Sequence, residues 1–183
     1  HVNSHIKEKK AFIEYGSDQK FITYDNLYEQ SSKLRHFFSK FKIDREDRVV
    51  ILMQDVISYP IIFWGCLKSG VIPVLLNTLL SSEVVNDIIN NSRAKAVFIS
   101  SGLLSSFENS VKKNVNIKHI IEVGTKKSNY INFEEEIQKC SFQDTIKCSK
   151  DEIAFWLYSS GSTGEPKGVK HVHGSLEYTY KTY

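Results

Sequence analysis

The chain has 183 residues, 41% hydrophobic and 25% charged, and its 24 basic and 21 acidic side chains leave a net charge of +3. That is enough for one good-sized core, or one domain and part of a second. The charge is too mild and too scattered for a nucleic-acid surface, and the most hydrophobic zone, residues 56–76, is broken by Pro60, Lys68, Gly70 and Pro73, short of the ~20 apolar residues of a membrane span. The three cysteines, Cys66, Cys140 and Cys148, are odd in number and form no Cys-x-x-Cys pair, which suits reduced thiols in a cytoplasmic protein. The N-terminus carries no apolar signal region.

In chain order, Ala11–Gly16 and Lys20–Tyr24 flank Ser17-Asp18 and predict a β-hairpin. Thr23 or Asp25 then caps a helix whose Leu27, Leu34, Phe38 and Phe41 share one stripe. Asp47–Leu52 reads as a strand, Ser58–Lys68 as an apolar helix closed by Gly70, and Val71–Leu76 as a strand in which Pro73 predicts an edge or a bulge. A helix from Ser81 or Ser82, a strand at Lys95–Ile99, a helix over Gly102–Lys113 and a strand at His119–Val123 follow. This alternation predicts an α/β fold: a mostly parallel sheet with flanking helices, plus the small N-terminal β-hairpin. Thr125–Lys150 is polar and reads as a surface segment, with Glu134-Glu135-Glu136 a solvated run rather than a metal site.

The most distinctive stretch is Tyr158–Val169, Tyr-Ser-Ser-Gly-Ser-Thr-Gly-Glu-Pro-Lys-Gly-Val, preceded by the apolar run Ile153–Leu157, which reads as a buried strand. Three glycines allow tight turns and close backbone approach. Successive backbone amides in such a turn form an anion-binding concavity. Ser159, Ser160, Ser162 and Thr163 add hydroxyl donors, and Lys167 adds charge. The set suits a polyphosphate. It is not the Walker A loop, because Pro166 stands where the second glycine is required and Gly168 where Ser or Thr is required. A plain flexible linker would need neither the Pro-Lys-Gly-Val exit nor the aromatic-rich strand in front.

Ser160–Val169 resembles the signature loop of the adenylate-forming superfamily, with Glu165 at its variable position. Ile22–Leu27 is similar to that family's Thr-Tyr-x-x-Leu helix start, and Glu46-Asp47-Arg48-Val49 to its Gly-Asp-Arg-Val. Glu46 stands in place of the glycine, which implies a differently built turn. Gly65–Pro73 resembles the Gly-x-x-x-x-Gly-x-x-x-Pro pattern, with Asn77 following. Val74–Leu80 and Lys170–His173 look most like the benzoate-CoA ligase branch; His171 and His173 themselves read as ordinary residues after the loop.

The resemblance implies that residues 1–183 are the N-terminal portion of a large AMP-binding domain. Its enzymes activate a small carboxylic acid, aromatic in the branch named, with ATP, and pass the acyl group to coenzyme A. Within the loop it implies that Ser162 and Thr163 donate to phosphate oxygens, that Gly161 and Gly164 let backbone amides approach, that Ser160 contributes and that Lys167 supplies charge. Pro166 would stiffen the exit. The adenine, acid and Mg ligands and the adenylating lysine of the family belong to later segments, so the resemblance implies no catalytic residue and no metal ligand here, and a chain inactive by itself. A carrier-protein-loading adenylation domain and a non-catalytic phosphate-binding module remain open. An incomplete sheet implies an exposed edge or apolar face, and with it homo-oligomer formation.

Overall fold

In the computed structural model, which describes residues 4–16, 19–159 and 166–182, two strands and a long helix open the chain. Strands β1 (Lys10–Ile13) and β2 (Phe21–Thr23) pair antiparallel. The Thr23 hydroxyl accepts from the Asn26 amide and caps helix α1 (Tyr24–Lys40), which buries Leu27, Leu34, Phe37 and Phe38. The main sheet is built from β3 (Arg48–Leu52), β4 (Ile72–Leu75), β5 (Ala96–Ser100), β6 (His119–Val123), β7 (Ile131–Asn132), β8 (Ile153–Ser159) and β9 (Lys167–Val172). Its order is β7-β6-β5-β3-β4-β8-β9, parallel throughout except for the final antiparallel pair β8–β9.

Helices α2 (Ser58–Ser69), α3 (Ser82–Ser92), α4 (Leu104–Lys112), α5 (Phe133–Ile137) and α6 (His173–Thr182) connect or follow these strands. Alternate residues of each inner strand serve opposite faces, as the pleat requires. Val49 and Ile51 of β3 join a core with α1 and α2, while Val50 and Leu52 join a second core with Val85, Ile88 and Ile89 of α3 and Phe107 of α4. Gly70 closes α2 in the left-handed conformation at φ +70°.

Four expectations are corrected. Pro73 lies in an interior strand without a bulge, because β4 sits between β3 and β8. Ile72 and Leu76 donate to Asp47 and Ile51 on the β3 side. Alternation turns the Pro73 nitrogen toward β8, where pairing begins only at Val74, so its missing N–H breaks no ladder bond.

Residues 125–150 are more than surface. Ile131 and Asn132 extend the sheet, and Phe133 and Ile137 are buried in the first core. The buried carboxylate of Glu122 organises the turn between β6 and β7 by accepting from the amides of Lys127 and Ser128 and from the Ser128 hydroxyl. The three adjacent glutamates are each engaged: Glu134 by Ser58 and the Gly124 amide, Glu135 by Lys126, Glu136 by Lys40 and Lys139.

Strand β8 buries only Ala154 fully, and Leu157 is 40% exposed, because it lies near the end of the sheet. Glu46, finally, adopts φ +66°, the region that favours glycine, so the turn keeps a glycine-like backbone despite its side chain.

Candidate functional site

The signature segment links β8 to β9, and its two described ends meet. Ser159 and Lys167 are cross-strand partners, followed inward by Tyr158–Gly168 and Leu157–Val169. Since β8 runs parallel to β4, this junction lies at the carboxyl end of the sheet, where open α/β sheets bind ligands. Ser160, Gly161, Ser162, Thr163 and Gly164 lie outside the described residues. Lys167 is described: it opens β9, is exposed, and makes no ion pair among the described residues.

The arms beneath this junction are fastened by side chains. Phe155 and His171 stack across the ladder at 4.6 Å with ring planes 3° apart, and Phe155 also meets Phe63 of α2 at 5.6 Å. Lys170 places its ammonium 5.1 Å from the Trp156 ring centroid. The Tyr158 hydroxyl donates to Asn91 Oδ1 of α3 at 2.6 Å. Nothing in the local sequence marks Asn91, which is 67 positions from its partner. His171 is thus a stacking residue of the arm. His173 begins α6, where its amide donates to the Glu152 carbonyl at 3.0 Å and burial, above all, pushes its imidazole pKa down.

Two polar hollows lie along the same carboxyl edge. One, of about 370 Å³, is bounded by Gln54, Asp55, Asn77 and Thr78 at the ends of β3 and β4, and β4 is the neighbour of β8. The other, of about 570 Å³, opens beyond β3, β5 and β6, with Gln54, Ser101, Gly102, Thr125 and Lys127 on its walls. The order of connections reverses between β3 and β5, so this crevice sits at the switch point of the sheet. Among the described residues no three His, Cys, Asp or Glu side chains are grouped to hold a metal ion, and no helix is long and apolar enough to cross a membrane. The arrangement presents a cationic, glycine-flanked hairpin end beside polar hollows, chemistry suited to a phosphorylated ligand.

Comparison with known proteins agrees with this geometry. The family of AMP-binding enzymes matches residues 1–183. A 4-hydroxybenzoate–CoA/benzoate–CoA ligase of Rhodopseudomonas palustris is 33% identical over 173 residues, covering 91% of this chain and 31% of that protein. A benzoate–CoA ligase of Thauera aromatica is 31% identical, covering 92% and 32%. The chain therefore spans about a third of the length of the curated relatives it matches. Among solved structures, a benzoate CoA ligase from Burkholderia xenovorans superposes with a TM-score of 0.82 at 28% identity, covering 98% of this chain and 35% of that one. An anthranilate CoA ligase in complex with anthranoyl-AMP shares the fold with a TM-score of 0.90 at 23% identity, covering 97% and 34%. With the signature loop, the parallel sheet and the match over its full length in agreement, the chain belongs to the family of AMP-binding enzymes.

Proposed function

We propose that the chain is the N-terminal portion of the large AMP-binding domain of an ATP-dependent carboxylic acid–CoA ligase. Ser160, Gly161, Ser162, Thr163, Gly164 and Lys167 then take the β- and γ-phosphates of ATP. The observation that carries this reading is the pairing of Ser159 with Lys167 at the carboxyl end of a parallel sheet. Both ends of the phosphate-type motif are anchored where such sheets receive ligands, with an exposed ammonium beside them that makes no ion pair among the described residues.

ATP supplies the leaving pyrophosphate: the substrate carboxylate attacks the α-phosphorus and an acyl-adenylate forms; the coenzyme A thiol then attacks the acyl carbon, forming the thioester and expelling AMP. The part of this chain's residues is electrostatic. Backbone amides, hydroxyls and the Lys167 ammonium would neutralise charge that builds on the departing phosphates. Identity of 33% and 31% to two benzoate-type ligases favours an aromatic acid as substrate. Mg accompanies ATP through ligands outside this chain, and three free thiols suit a cytosolic setting.

Calorimetric titration of the 183-residue chain with ATP and with inorganic tripolyphosphate tests the reading. Lys167→Ala is expected to weaken binding about tenfold or more, the scale of a lost charge-assisted contact. Binding indifferent to Lys167, or no binding, would overturn it. The same chain is expected to form no acyl-hydroxamate from benzoate, ATP and hydroxylamine; product formation would refute the assignment of catalysis to later segments.

A further inference from the structure

Tyr158 is the last residue but one of β8, beyond Leu75–Leu157, the final pair that joins β8 to β4. From there outward, β8 has β9 alone as a strand partner. The residue opposite Tyr158 is Gly168. A Cβ at position 168 would come within 3.1 Å of Tyr158 Cζ and 3.2 Å of its hydroxyl oxygen. The ring therefore lies across the glycine, in space that a side chain would otherwise fill. Its hydroxyl donates to Asn91 Oδ1 of α3, at 2.6 Å. Burial pushes the phenol pKa up, so the hydroxyl keeps its proton and its donor role through neutral pH. One alternation back on the same face, Trp156 and Lys170 form the next cross-strand contact.

We infer that Tyr158 is a positioning residue of the phosphate site: seated on Gly168 and tied to Asn91, it fixes the two strand ends, and the Lys167 ammonium with them, against the body of the domain. A two-residue overhang of an antiparallel hairpin twists readily when only its own ladder holds it. The Asn91 bond removes that freedom at the point where the phosphate motif begins. The functional consequence rests on the phosphate reading above; the clamp itself rests on the geometry.

Three substitutions separate the parts. Tyr158→Phe keeps the ring over Gly168 and deletes the tether, Asn91→Leu deletes the acceptor, and Asn91→Asp supplies another. Amide hydrogen exchange in the 183-residue chain is expected to accelerate about three- to tenfold at Ser159, Lys167 and Gly168 in Tyr158→Phe and in Asn91→Leu, the scale of one lost hydrogen bond. It should stay near the unsubstituted rate in Asn91→Asp, and β3 and β5 should not respond. Affinity for inorganic tripolyphosphate should fall by a similar factor in the first two variants, and the double variant Tyr158→Phe/Asn91→Leu should be no worse than either single change.

Unchanged exchange and unchanged affinity in Tyr158→Phe would overturn the positioning role. Failure of the phosphate reading has a different signature: the unsubstituted chain ignores tripolyphosphate, or Lys167→Ala binds it equally well, while exchange at the strand ends still responds to Tyr158→Phe. That result removes Tyr158 from phosphate binding and leaves it as a fastening of the hairpin.

Discussion

The carboxylate of Glu14 accepts the backbone amide of Ile57 at 3.0 Å, across 43 positions of sequence. Helix α2 starts at Ser58 with no side-chain cap of its own. The N-terminal hairpin thus brings an anion to a helix end that carries partial positive charge and unpaired amides. Glu14→Ala is expected to lower stability by about 1 kcal/mol, the scale of a lost cap. It should also hasten tryptic cleavage at Lys20, since the hairpin loses its link to α2. Urea denaturation and timed proteolysis read both effects, and an unchanged midpoint with unchanged cleavage would show the contact to be idle.

Gly65 of α2 packs against Leu34 of α1. A Cβ there would fall 2.3 Å from Leu34 Cγ and 2.6 Å from Leu34 Cβ. Alanine is the better helix former by about 1 kcal/mol, yet Leu34 is fully buried and has no room to retreat. Overpacking is expected to win, so Gly65→Ala should destabilise by about 1–3 kcal/mol. A chemical denaturation curve showing Gly65→Ala more stable than the parent would mean that the helices part at small cost.

Lys68 donates to the Tyr28 carbonyl and to Ser32 Oγ, both at 2.8 Å, and stands 3.7 Å from the Tyr28 ring centroid. No carboxylate pairs with it among the described residues. Burial pushes its pKa down from the ordinary 10.5 to about 8. Between those values the unfolded chain holds a proton that the folded chain has released, so stability rises with pH across that window. The unfavourable contribution of the buried charge is full below about 8 and gone above 10.5. Cys66 acts in the opposite sense, because burial pushes its thiol far up and unfolding lets it ionise. Comparison with Lys68→Met cancels that background. The stability of the parent relative to Lys68→Met is expected to improve as pH rises from about 7.5 to about 10; a difference that stays constant would contradict the assignment.

Phe133 packs its ring 5.8 Å from Phe37 and 5.9 Å from Phe98 and is 2% exposed. Phe133→Ala should cost about 3–5 kcal/mol by leaving a cavity between α1 and the sheet. Loss below about 1 kcal/mol would return this segment to the surface role that its composition suggests.

Much of the architecture was legible in local pattern. Period-two and helical runs, a cap at Thr23 or Asp25, the stop at Gly70 and the alternation from β3 to β6 are encoded within a few neighbouring residues, and the structure places the cap at Thr23. The family resemblance of the signature loop was legible for the same reason, since its glycines, hydroxyls and lysine stand at close spacing. Ile131, Phe133 and Ile137 were not, because apolar residues two to four apart in a polar run display no period of their own.

By itself the sequence determined the class of fold and the family, because each depends on short-range spacing. The tertiary structure alone decided that Pro73 is interior, that Phe133 is core, and that Asn91 holds Tyr158. In each case the energy belongs to a pair brought together from distant parts of the chain. A proline loses nothing where no neighbour awaits its amide, and a tyrosine gains an anchor only where a helix end happens to be within reach.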